Sequence, residues 1–317
     1  MKRILSLMLV LLIACPLFVA CGNTPPATEP ESTEGVKKPA MNIFQKSNPA
    51  EDDVFNLLMI GNSHCFYYAD ELVALAAAAG IKMRVSNVYY SGCTISMHYK
   101  WWKDGQSNYK FITHDENGKT VIEGANLEYC LKQANWDAIS LQTGTADFMA
   151  KPADQVLSET KDMRTELWDY IKTQFPQSKH YWHHSWSYQL GGEKFGVKYD
   201  DVSKQHDLDA NIAAIADQVC IENELLRVPT GPAWRKVRDG GYDNMCERIG
   251  VTGDYGHDGD VGGGQYLNAC VWFETITGES CIGNTFRPEY GLSEDMINMF
   301  QQAAHAAVEQ MKAEDGM

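Results

Sequence analysis

The chain has 317 residues, 44% of them hydrophobic and 11% aromatic, with a formal net charge of -15. That composition fits a globular protein and not a disordered chain. So acidic a surface repels phosphate backbones and no basic cluster offsets it, which excludes nucleic acid as a partner and disfavours polyanionic substrates.

Residues 1–20 read as an export signal: Lys2-Arg3 precedes an apolar run over 4–13 that is too short to span a bilayer. Phe18-Val19-Ala20-Cys21 is similar to a lipobox, with Cys21 as the lipidated mature N-terminus. Leu12-Ile13-Ala14-Cys15 is a competing site that would cut the apolar run short. Residues 21–53, rich in Pro, Thr, Glu and Ser, are expected to form a flexible tether, and 54–317 a single domain. No later stretch reaches about 18 apolar residues. The expected protein is therefore exported and linked to a membrane by its N-terminal lipid only. Of nine cysteines, seven remain after Cys15 and Cys21, with no CxxC and no small-scaffold spacing. No disulfide pairing follows from them.

Along the domain, VFNLLMI at 54–60 predicts a buried parallel strand closed by Gly61, and 70–79 a helix ending at Gly80. A second strand is expected over 83–90, closed by Ser91-Gly92. An insertion near 99–123 should carry a hairpin over 109–123 that turns at Glu116-Asn117-Gly118. Helical sequence at 125–134 leads to a third strand at 136–141. A helix over 163–174 stops before Pro176 and leads to a fourth strand at 179–182. A helix at 207–225, a short strand at 226–229 and helices at 266–277 and 293–312 complete the chain. This alternation predicts an α/β fold: a three-layer α/β/α sandwich around a mainly parallel, flavodoxin-like sheet.

Ligands of open parallel sheets bind outside the carboxyl ends of the strands. Gly61-Asn62-Ser63-His64 follows the first strand, where Gly61 permits a sharp turn and the start of a helix offers N–H groups to a developing oxyanion. A serine needs a base, and the base an orienting group. Asp254-Tyr255-Gly256-His257 supplies both in a glycine-rich loop. Each segment alone also reads as an ordinary polar turn. Together they make Ser63, Asp254 and His257 the candidate catalytic set. Asn62, Trp101, Trp102, Trp182 and Trp186 are the candidate substrate-binding residues, since flat rings with polar edges suit sugars and acyl chains. Tyr99 and Tyr188 flank the same aromatic groups. The adjacent pair His183-His184 diverges in direction and reads as structural or exposed. Asp254, Asp258 and Asp260 lack the EF-hand pattern, so no metal and no cofactor is expected.

These blocks resemble the SGNH (GDSL-like) hydrolase superfamily over most of 54–278: Gly61-Asn62-Ser63, Gly92 within Ser91-Gly92-Cys93, and Asp254-Tyr255-Gly256-His257. The stretches GNSHCFYYADEL, SGCTISMHYKWW and YGHDGDVGGGQYLNACVWFETITG are similar to a lipoprotein-associated subgroup of that superfamily. The resemblance implies Ser63 as nucleophile, His257 as general base and then acid, and Asp254 as orienting group. It also implies an oxyanion hole containing the Ser63 and Gly92 N–H groups. In the third block, 141–147, Ala146 stands where the superfamily has Asn. Either Gln142 supplies that amide, or the hole has two N–H groups only. The implied activity is hydrolysis of O-acyl esters, chiefly O-acetyl esters of carbohydrate. A non-catalytic glycan-binding lipoprotein and a lipase or phospholipase are the alternatives.

Overall fold

FNLLMIG is apolar at successive positions, as a strand covered on both faces requires. In the computed structural model it forms β1 (Phe55–Gly61), and all seven residues are buried. The structure describes residues 53–143, 151–191, 193–194, 197–198, 200–243 and 263–316. The expected leader, tether and Cys21 lie outside the described residues, as do Ala146, Asp254, His257, Asp258 and Asp260.

The other strands are β2 (Met83–Tyr89), β3 (Tyr109–Asp115), β4 (Gly118–Ala125), β5 (Ala138–Leu141), β6 (Lys179–His183), β7 (Glu193–Lys194), β8 (Val197–Lys198) and β9 (Leu226–Val228). The main sheet has seven strands in the order β4-β3-β2-β1-β5-β6-β9, and β7 pairs with β8 separately. From β2 across to β9 every pairing is parallel. In this sheet β3 alone is reversed, antiparallel to both β2 and β4, so the expected hairpin widens the sheet beside β2. Its turn is the two-residue loop between the paired Asp115 and Gly118, and Gly118 has a φ of 103° that an L side chain rarely adopts.

The helices are α1 (Ala69–Ala78), α2 (Ile95–Lys103), α3 (Leu127–Leu131), α4 (Ala153–Gln174), α5 (Val202–Glu222), α6 (Thr230–Asp239), α7 (Gly264–Thr277) and α8 (Glu294–Asp315). Alternation along β1 divides them into two layers. Leu57 and Met59 join a core built with α1, α6, α7 and α8. Leu58 and Ile60 join the opposite core, built with α3, α4 and α5. The three-layer α/β/α sandwich is thus realised. Two helices, α2 and α6, were not expected, and α4 starts at Ala153 instead of 163. Among the described residues, no helix is long and apolar enough to cross a membrane.

Candidate active site

The chain leaves β1 for β2 on one side, and β5 is added later on β1's other side, so the strand order reverses at β1. This is the topological switch point at which α/β sheets bind ligands. Three of the sequence blocks converge there. Tyr90 N–H donates to Gly61 O (3.3 Å) from the β2 side, and Gln142 N–H donates to Ile60 O (3.0 Å) from the β5 side.

Asn62 caps a 3-10 turn over Ser63–Cys65. Its Oδ1 accepts from His64 N–H at 3.1 Å, and its Nδ2 donates to Cys93 O at 2.9 Å, tying the turn to the loop after β2. Gln142 completes the clamp: its Oε1 accepts from Asn62 N–H at 3.3 Å, and its Nε2 donates to Asn62 Oδ1 at 3.1 Å and to Thr143 O at 2.6 Å. Gly61 is required by this packing, because a Cβ there would collide with Gln142 Oε1 and Cys65 Sγ. Asn87 closes the turn from below by donating to Cys65 O at 2.6 Å. Cys65 itself is buried, and desolvation pushes its thiol up to about 12, so it stays protonated and acts as packing.

Ser63 is half-buried on this turn. Among the described residues, none hydrogen-bonds its hydroxyl or its N–H. Gly92 lies in the turn after β2 with a φ of 65°, a left-handed conformation natural to glycine. The Gln142 amide, the further oxyanion donor that the sequence offers beyond the two N–H groups, has its hydrogens committed to Asn62 and Thr143. In this geometry it holds Asn62, the residue next to Ser63, and leaves no free donor.

The aromatic candidates separate by burial. Trp101 on α2 is half-buried and meets the exposed Tyr90 edge-to-face at 4.8 Å, beside the Gly92 turn. Trp102, on the same helix, packs 4.7 Å from Tyr170 of α4 with Lys103 over its ring. Trp182 and Trp186 are corrections: they are 2% and 1% exposed and present no surface to a ligand. Trp182 belongs to the core under α4 and α5, because alternation along β6 sends Tyr181 to one face and Trp182 to the other. Trp186 stacks on Trp234 at 4.9 Å and meets the His64 ring at a tilt, also at 4.9 Å, forming a floor under the turn that carries Ser63.

Of the structural and exposed roles open to His183 and His184, the structural one holds, since both are buried. Thr230 Oγ1 donates to His184 O (2.6 Å), so it accepts from His183 Nε2 at 2.8 Å. Desolvation pushes both imidazoles down to about 3, and they are neutral.

A family model for DUF4886, a domain of unknown function, matches residues 56–307. The chain belongs to the DUF4886 family. No curated protein matches it. This DUF4886 chain is similar to the crystal structure of a DUF4886 family protein from Bacteroides uniformis, with 24% identity and a TM-score of 0.70 over 81% of this chain and 95% of that one. It is also similar to a GDSL-like lipase from Parabacteroides merdae, with 15% identity and a TM-score of 0.47 over 76% of this chain and 100% of that one. An acetylxylan esterase from Geobacillus stearothermophilus gives 17% identity and a TM-score of 0.44 over 71% of this chain and 95% of that one.

Proposed function

We propose that the protein is a serine hydrolase of carboxylic esters with Ser63 as its nucleophile. The observation that carries this reading is the environment of Ser63. The residue lies at the carboxyl end of β1, on a turn clamped through Asn62 by Gln142 and Cys93, while its own hydroxyl is engaged by no other described residue. A side chain held this way costs little entropy to align with a bound ester.

The motif resemblance supplies His257 and Asp254. His257 takes the proton of Ser63 as the Oγ–C bond forms, then gives it to the departing alcohol as the ester C–O bond breaks. Asp254 orients the imidazole. Water attacks the acyl-enzyme with His257 again as base, releasing the acid and restoring the serine. The N–H groups of Ser63 and Gly92 face the developing oxyanion in this reading. A hole lacking one donor loses on the order of 3 kcal/mol of transition-state stabilisation, so turnover is expected to be slow.

Tyr90 and Trp101 support a carbohydrate ester as substrate, since an exposed ring buttressed edge-to-face by a second offers a flat face to a sugar. An O-acetyl group is the acyl part we favour, and the exported lipoprotein form through Cys21 places the reaction outside the cytoplasm. A fluorophosphonate, which phosphonylates activated serines, tests the nucleophile. Mass spectrometry should find the adduct on the Ser63 peptide and none in Ser63→Ala. An unlabelled Ser63 peptide would count against the assignment.

A further inference from the structure

Away from the Ser63 region, α7 and α8 bring together a second set of chemically capable side chains. Glu274 is in the last turn of α7, ten residues and about 15 Å along the helix from Gly264. His305 and Glu309 are four residues apart on α8 and therefore share one face. One ligand atom from each of the three lies within 4.8 Å of the others.

The carboxylate of Glu274 is 1% exposed and pre-oriented. Its Oε2 accepts from Cys281 N–H at 3.0 Å, which turns Oε1 toward α8, where His305 Nδ1 donates to it at 2.6 Å. A buried carboxylate is costly unless a positive charge balances it. Among the described residues no Lys or Arg pairs with Glu274; its ion-pair partner is the imidazole of His305, a side chain that also ligates metals. His305 and Glu309 are 36% and 51% exposed, so the open side of the cluster is reachable from solvent.

We propose that Glu274, His305 and Glu309 bind a divalent first-row cation, Zn2+ by their ligand set, that clips α8 to the end of α7. One imidazole nitrogen and two carboxylate oxygens with water in the remaining position form a donor set suited to zinc. The main-chain N–H on Glu274 Oε2 is the kind of outer contact that fixes a ligating carboxylate. Ligand atoms around tetrahedral zinc lie roughly 3.3 Å apart, as bonds of about 2.0 Å require. The Glu274–His305 contact of 2.6 Å opens to admit the ion, and Glu309, the most exposed of the three, closes in by exchanging its Lys312 contact for it. His305 binds the ion through Nδ1 as a neutral imidazole, so the proton that Nδ1 gave to Glu274 passes through water to Nε2.

The test is calorimetric titration of the tagless, chelator-stripped full chain with ZnCl2, beside His305→Ala and Glu309→Gln, with Tm measured in parallel. The expected result is one ion per chain and a raised Tm, with affinity weakened at least about tenfold in each variant. Bound Co2+ should show visible d–d absorption in the wild type and lose it in His305→Ala. Glu309→Gln changes an exposed group and keeps the fold, so it decides the matter even if His305→Ala is unstable. Absence of stoichiometric uptake by the wild type, or uptake that both variants leave unchanged, would overturn the proposal.

Discussion

Gln142 makes three side-chain hydrogen bonds in a fully buried position, two of them to the residue beside Ser63. Replacing it by Leu keeps the volume, leaves buried polar groups unpaired, and frees the Ser63 turn. The expected cost is about 1–3 kcal/mol of stability. On the esterase reading, kcat should also fall on the order of tenfold to a hundredfold with little change in KM, because the nucleophile loses its position and the substrate pocket does not. Steady-state kinetics and urea unfolding of Gln142→Leu measure the two effects separately. The serine and the Gly92 turn are visible in the sequence because each is a local signal: a glycine, a small polar residue and the end of an apolar run. The part Gln142 plays is not local. Which atom its amide meets depends on β5 lying against β1 across 80 residues of chain. Trp182 and Trp186 were misread for a related reason. A ring near an expected pocket can belong to the layer beneath it, and in a sheet covered on both faces the strand pattern does not tell the two apart.

At the scale of elements, strands and long helices were legible where the apolar pattern was continuous, as in β1, β2 and α8. The unexpected α2 is amphipathic, but its nine residues, ISMHYKWWK, give the pattern little more than two turns in which to repeat. Its signal is the cap: Thr94 Oγ1 accepts from Met97 N–H at 3.2 Å. The first ten residues of α4 are mostly polar, with Val156 their one buried residue, so tertiary packing extends a helix whose sequence marks only its second half. Thr94→Ala should cost about 1 kcal/mol in urea unfolding. Because α2 carries Trp101 against Tyr90, the same change should also weaken binding at the proposed sugar platform, measured as a raised KM for an acetylated oligosaccharide. A stability loss with KM unchanged would detach Trp101 from substrate binding.

At the scale of the whole molecule, buried histidines set the acid limit of the fold. Burial holds His98, His183 and His184 at about 3, against 6.5 for an unburied imidazole. Between these values the unfolded chain binds protons that the folded chain does not. Stability is therefore complete above pH 6.5 and lost as pH falls toward 3, by about 1.4 kcal/mol per pH unit for each imidazole. Glu71 acts in the opposite sense. Burial raises it to about 8, so its contribution is present below pH 4.5 and lost as pH rises through 8. With these three imidazoles and His180, which burial holds at about 4, against one carboxyl, unfolding free energy should fall steeply from pH 6.5 to 4.5, as denaturant titrations at stepped pH would record. A flat profile would contradict the buried, neutral state of these side chains.

The layered fold, the switch point and the serine turn all serve one claim, that Ser63 hydrolyses esters. Hydrolysis of p-nitrophenyl acetate by the purified protein, beside Ser63→Ala and His257→Ala, tests it most directly. Slow, saturable turnover is expected in the wild type, reduced to background by both substitutions while the far-ultraviolet circular dichroism is unchanged. Wild-type turnover no faster than background, or turnover that survives in Ser63→Ala, would contradict it.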